Sequence, residues 1–250
     1  MKTVLITRPK EQAVYLISHL ERRGLRSVLF PTIEIVPLTT WEIPPLNRYD
    51  GVFFTSTNGV RHFLEPLLLR RPNALAVLRN LQLFAVGKKT SALLSDYNLT
   101  ATSLPERADA ASLVRQLEEP LGNKRFLFVR GSLAERTIPE YIKSRGGICD
   151  ECEVYDTRKT SPENATQVKT LLAQGMIDCI AFTSPSTARN FFELMTGVSL
   201  QSRIRIAAIG ETTATALYEF GFTAHILPPE QTGESLAEAI ATYFAVQAAK

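Results

Sequence analysis

The chain has 250 residues, enough for one large domain or two small ones. Hydrophobic residues at 45% and charged residues at 21% are an ordinary globular balance, and a formal charge of +3 is no nucleic-acid signature. No apolar run approaches the ~20 residues a membrane span needs, and the apolar stretch Val4–Ile6 is too brief for a secretory signal. The expectation is a cytoplasmic protein with no membrane and no nucleic-acid partner.

In chain order, short β-rich runs appear at 3–7, 26–30, 51–55, 81–86 and 99–103. They continue at 125–129, 147–154, 178–183, 204–209 and 223–227. Helical periodicity lies between them. The first helix has Val14, Ile17, Leu20 and Glu21 at turn spacing, with Gly24 as a stop. Strands alternating with helices predict an α/β fold with parallel sheets flanked by helices. Cys149 and Cys152 form a lone C-x-x-C inside one predicted strand, where residues three apart point to opposite faces. With Cys179 the cysteines number three, an odd count that argues against a disulfide framework. No metal site is expected.

The two halves resemble each other. Phe54-Thr55-Ser56 returns as Phe182-Thr183-Ser184, the turn at Gly87 returns at Gly210, Ser112 returns as Ser235, and Arg8 returns as Arg130. The order is kept, and the offset drifts as loops of different length would make it drift. Two similar lobes follow, and on the repeat alone they divide near Gly122. Open parallel sheets bind ligands beyond the carboxyl ends of their strands, so two facing edges are expected to form a cleft.

The repeated turns each follow a strand and open a helix. Ser and Thr there cap free N–H groups, and Gly permits the tight turn. Capping alone accounts for every hydroxyl in them. The same geometry also binds anions, each helix end contributing roughly 0.3–1 kcal/mol. Micromolar binding needs about 8 kcal/mol, so direct hydrogen bonds and the basic side chains of Arg8, Arg130 and Lys88 would have to add to it. Dinucleotide, Walker and nucleophile-elbow signatures are missing. His19, His62 and His225 are isolated in sequence and occupy no repeated position. Tyr155 lies in the extended run at 152–162, whose counterpart is the run at 31–38. It reads either as an interface aromatic or, being protonated at neutral pH, as a donor to a leaving hydroxyl.

These residues resemble the uroporphyrinogen-III synthase family. The likeness runs through "LITRP", "FTSTNGV", "AVGKKTSALL", "FVRG", "EVYDT", "AFTSPSTARNF" and "AAIGETTATALYEFGF", in that order. Residues 209–214 and 154–157 match the family's patterns well, whereas Lys88 and Lys89 stand where small or neutral residues are common. The resemblance implies a cofactor-free lyase acting on hydroxymethylbilane, a linear tetrapyrrole with acetate and propionate groups on every ring. It removes the hydroxyl as water, inverts the last pyrrole through a spiro intermediate and closes the macrocycle. By the same likeness Tyr155 donates to the leaving group or positions it. Thr90 and Thr213 contribute at one matched pair of helix ends, and Ser56 and Ser184 at the other. The family's lobes are discontinuous, which implies 1–35 with 159–250 as one lobe, 40–153 as the other, and a two-stranded double crossover at 36–39 and 154–158. A monomer is expected.

Two other readings stay open on the residues alone. One is a two-lobed solute-binding module, which needs no Tyr155. The other, a racemase with one cysteine per lobe, lacks its pair, because Cys179 aligns with Gly51.

Overall fold

The computed structural model describes residues 1–102, 110–117, 120–198 and 200–248. In chain order its elements are β1 (Thr3–Ile6), α1 (Lys10–Glu21), β2 (Arg26–Leu29), β3 (Ile33–Pro37), β4 (Gly51–Phe54), α2 (Thr57–Arg70), α3 (Ala74–Leu78), β5 (Gln82–Ala85), α4 (Lys88–Asp96) and α5 (Ala110–Val114). There follow β6 (Arg125–Gly131), α6 (Thr137–Ser144), β7 (Ile148–Lys159), α7 (Ala165–Ala173), β8 (Cys179–Phe182), α8 (Pro185–Leu194), β9 (Arg205–Ala208), α9 (Glu211–Tyr218) and α10 (Gly233–Ala248).

The chain forms two compact units. Lobe 1 is Met1–Glu34 with Arg158–Lys250, and lobe 2 is Ile35–Thr157. Lobe 1 holds a four-stranded sheet in the order β2-β1-β8-β9, and lobe 2 a five-stranded sheet in the order β3-β7-β6-β4-β5. The registers of β1 with β2 and β8, of β8 with β9, of β4 with β5 and β6, and of β6 with β7 are all parallel. The sequence repeat explains the orders. β1 corresponds to β6, β2 to β7, β8 to β4 and β9 to β5, so the two sheets have the same order and lobe 2 adds β3 at one edge. Apart from the added β3, each sheet therefore takes two strands from one copy of the repeat and two from the other. The chain crosses between lobes within β3 and β7. Leu38 N–H donates to the Val154 carbonyl at 3.0 Å and Thr160 N–H to the Thr32 carbonyl at 3.1 Å, which is an antiparallel pairing.

Strands covered on both faces need apolar residues at every position. In β4 all four residues are buried, with Val52 and Phe54 in one core cluster and Phe53 in another. β8 repeats this in lobe 1: Ile180 and Phe182 face one cluster, Cys179 and Ala181 the other. Cys149 and Cys152 do face opposite sides of β7, in different clusters. Burial raises both thiols to about 12, so neither is a thiolate at neutral pH.

Three expectations change. The inward stripe of α1 is Ala13, Leu16 and Leu20, while Val14 is 62% exposed. Both sets share helical spacing, and the sheet selects the face that packs. Residues 223–227 form one isolated bridge, Ala207 with Ile226, and no strand. The following Pro228 and Pro229 lack the N–H groups a longer ladder would use. Residues 99–102 also form no strand. Thr102 pairs with Leu83 by donating its N–H to the Leu83 carbonyl and accepting the Leu83 N–H on its hydroxyl. Ser103, the end of the predicted run at 99–103, lies outside the described residues.

Candidate active site

Helices α2, α4, α8 and α9 all begin just after the carboxyl end of a strand. In lobe 2, Ser56 links β4 to α2 with φ −153° and ψ 155°, and its Oγ accepts the Gly59 N–H at 3.0 Å. In lobe 1, Ser184 links β8 to α8 with φ −166° and ψ 161°, and its Oγ accepts the Thr187 N–H at 3.2 Å. The duplicated Phe-Thr-Ser is thus one N-cap built twice. The surroundings differ. Ser184 is tied into its own helix: Thr187 Oγ1 accepts the Ser184 N–H at 3.2 Å, and Ser186 Oγ lies 3.0 Å from Ser184 Oγ. Ser56 instead meets the hydroxyl of Tyr155, 3.1 Å away.

Tyr155 sits at an irregularity between β6 and β7. Arg130 is opposite Glu153, but Gly131 is opposite Tyr155, so the register slips by one residue. The ring also lies beside His62 of α2, with centroids 5.8 Å apart. Burial raises the phenol pKa and the Ser56 hydrogen bond draws it partly back. Its ordinary value is already near 10, so the group is a neutral O–H at physiological pH. His62 is lowered mainly by burial and is neutral there as well.

The other candidates fall into distinct settings. Arg8 follows β1 in lobe 1. Its Nη2 donates to Gln12 Oε1 at 3.0 Å, while its buried Nε has no hydrogen-bond partner among the described residues. Burial lowers its pKa, yet a guanidinium stays charged. Arg130 is committed within lobe 2. It meets Glu153 at 2.7 Å and Glu151 at 3.2 Å, so two carboxylates match its charge before any ligand arrives. Thr90 and Thr213 are each the third residue of their helix, and both are buried, at 4% and 3% exposure.

The glycines that start α4 and α9 are there for different reasons. Gly87 has φ 81°, a left-handed conformation costly for other residues. Gly210 is extended, and a Cβ there would press on the Gln231 side chain at 2.7 Å. Lys88 and Lys89 occupy the first turn of α4. Positive charge at that end opposes the helix dipole and favours an anion.

Sequence reasoning missed Gly131, Ser132 and His62 as neighbours of Tyr155. The available signal was the Gly-Ser after "FVR", at the end of a strand where functional turns concentrate. Among the described residues no group of His, Cys, Asp or Glu could hold a metal ion, and no helix is long and apolar enough to cross a membrane.

The family model of uroporphyrinogen-III synthase HemD matches residues 15–242. The chain belongs to the uroporphyrinogen-III synthase family. A uroporphyrinogen-III synthase of Chlorobaculum parvum is 46% identical over 242 residues, covering 96% of this chain and 98% of that protein. Two solved structures share the fold. The uroporphyrinogen III synthase of Thermus thermophilus, in a mutant form, superposes with a TM-score of 0.71 at 18% identity, covering all of both chains. The synthetase of Helicobacter pylori gives 0.64 at 17% identity, over 97% of this chain and 100% of that one. The Ser56–Tyr155 contact and the paired caps therefore belong to a member of an enzyme family.

Proposed function

We propose that this protein acts as a uroporphyrinogen-III synthase, a cyclising hydro-lyase that needs no cofactor. Its substrate is hydroxymethylbilane, which it closes with inversion of the last pyrrole and loss of water. The observation that carries the chemistry is the hydrogen bond between the Tyr155 hydroxyl and Ser56 Oγ. When the substrate's C–O bond breaks, the departing hydroxyl needs a proton to leave as water. A neutral phenol supplies it, and the Ser56 hydroxyl donates to the phenolate oxygen that remains. General acid help of this kind is worth about 10²–10⁴-fold.

A substrate with carboxylates on every ring is held through many weak donors. Helix ends capped by Ser56 and Ser184, the ends carrying Thr90 and Thr213, and the cations of Arg8 and Lys88 supply them. The remaining contribution is conformational, since ring closure requires the chain's two ends to meet. Arg130 supports this site from within its ion pairs. We take the protein to work as a cytoplasmic monomer on this small-molecule substrate alone.

The test is direct. Freshly generated hydroxymethylbilane is mixed with the protein, the product is oxidised, and the porphyrin isomers are separated. Isomer III is expected. Isomer I alone means spontaneous closure, and would reduce the protein to a binding module.

A further inference from the structure

We infer that the Gly131-Ser132 turn at the end of β6 is a positioning device for Tyr155, holding its hydroxyl against Ser56. This inference rests on the reading of Tyr155 as the proton donor. Two sets of contacts carry it. The first is steric. The Tyr155 ring lies over Gly131, and a Cβ added there would overlap the ring and come within 2.8 Å of the hydroxyl oxygen. Gly131 has no left-handed backbone to explain its identity. Its missing side chain is the space the phenol occupies.

The second is a clamp on Tyr155 and the two residues that follow it. Ser132 N–H donates to the Tyr155 carbonyl at 3.0 Å. The Ser132 hydroxyl donates to Asp156 Oδ1 at 2.6 Å and accepts the Thr157 N–H at 3.1 Å. One residue therefore holds three successive residues of β7, at the point where the register slips. The slip is what brings Tyr155 opposite a glycine. With regular pairing Val154 would stand there, and Tyr155 would point to the other face of the sheet.

Gly131→Ala, Ser132→Ala, Ser132→Thr and Tyr155→Phe are made in the full chain and assayed with freshly generated hydroxymethylbilane. A displacement near 1 Å at a reacting group costs ~10²-fold. Gly131→Ala is expected to lower kcat by about that factor with KM little changed. Ser132→Ala, which keeps the backbone bond to Tyr155, should lose part of it, roughly 10-fold, and Ser132→Thr should restore the rate. In a Tyr155→Phe background Gly131→Ala should add little further loss, because the hydroxyl it displaces is already gone. If Gly131→Ala does not fold, the Ser132 pair and the Ser132→Ala/Tyr155→Phe double variant decide alone. Additive losses in the double variants, or a Ser132→Ala enzyme of full activity, overturn the inference while a slow Tyr155→Phe enzyme keeps the donor reading intact. A fully active Tyr155→Phe enzyme removes both.

Discussion

Ser56 Oγ and the Tyr155 hydroxyl lie 3.1 Å apart, although Ser56 comes from the first copy of the internal repeat and Tyr155 from the second. The crosswise assembly of the sheets makes this meeting possible. β4, which ends at Phe54 two residues before Ser56, and β7, which carries Tyr155, both flank β6 in lobe 2. Tyr155→Phe removes one oxygen and keeps the ring beside His62. Turnover is expected to fall about 10²–10⁴-fold, with a melting temperature close to the parent's. Activity and thermal melts on one preparation check this, and undiminished turnover would end the donor role.

The two N-caps form an internal control. Ser56→Ala and Ser184→Ala each remove a side-chain oxygen that accepts a helix N–H. Each should cost about 0.5–2 kcal/mol of stability. Only Ser56 touches the phenol. Its loss should lower kcat, whereas the Ser184 change should appear in KM. Denaturant midpoints and steady-state kinetics on the pair separate the effects. Equal kinetic behaviour of the two variants contradicts the assignment.

Acid stability has a local source in lobe 2. Burial alone would raise the Asp150 carboxyl, but hydrogen bonds from Arg125 and Tyr49 and the Arg125 charge outweigh it, leaving its pKa below the ordinary 3.8. Arg125 Nε is 2.7 Å from Asp150 Oδ2, and Tyr49 donates to the same oxygen at 2.9 Å. A depressed folded pKa means stability that is complete above the unfolded value and lost as pH falls through the folded one. The parent should weaken on acidification below about pH 4, and Asp150→Asn should flatten that part of the profile. Urea midpoints across the acid range test it. Parallel profiles for parent and variant assign the loss to other carboxylates.

Lobe 2, Ile35–Thr157, contains β4, β5 and β6 whole and most of β3 and β7. A fragment of residues 35–157 is therefore expected to melt cooperatively. Residues 1–122 carry β1 and β2 without β8 and β9, and β4 and β5 without β6, so that fragment should not. Circular dichroism melts decide between the discontinuous division and a cut near Gly122.

Much of this architecture is legible in the sequence because the repeat writes it twice. Phe54-Thr55-Ser56 and Phe182-Thr183-Ser184 announce equivalent strand-to-helix turns, and the buried runs of β4 and β8 announce sheets covered on both faces. The helical stripe of α1 is not legible, because Val14 and Leu16 have nearly equal claims until the partner surface is known. Arg130 reads as a free cation, since Glu151 and Glu153 become its partners only when β7 lies beside β6. Gly131, Ser132 and His62 stay hidden for the same reason. Their relation to Tyr155 depends on a one-residue slip between two strands, and no local pattern encodes that slip.

Thr90 and Thr213 occupy equal places in α4 and α9, and both are buried. If they serve only to pack the first turn, valine should replace them well, because it keeps the branched shape and removes one hydroxyl. If their hydroxyls also hold substrate carboxylates, Thr90→Val and Thr213→Val should weaken product affinity beyond any change in stability. Losing one hydrogen bond to a charged group costs about 1.5–3 kcal/mol, or roughly 10- to 150-fold in Kd per site. The neighbouring Lys88 makes the two ends unequal. Its contribution at α4 is an exposed charge, so binding there should weaken as salt is raised past the ~10 Å screening length of 0.1 M. Product affinity is measured for both single variants and the double variant at two salt concentrations, with melts in parallel. Unchanged affinity in all three would leave these threonines as packing alone and move carboxylate binding to Ser56, Ser184 and the cations.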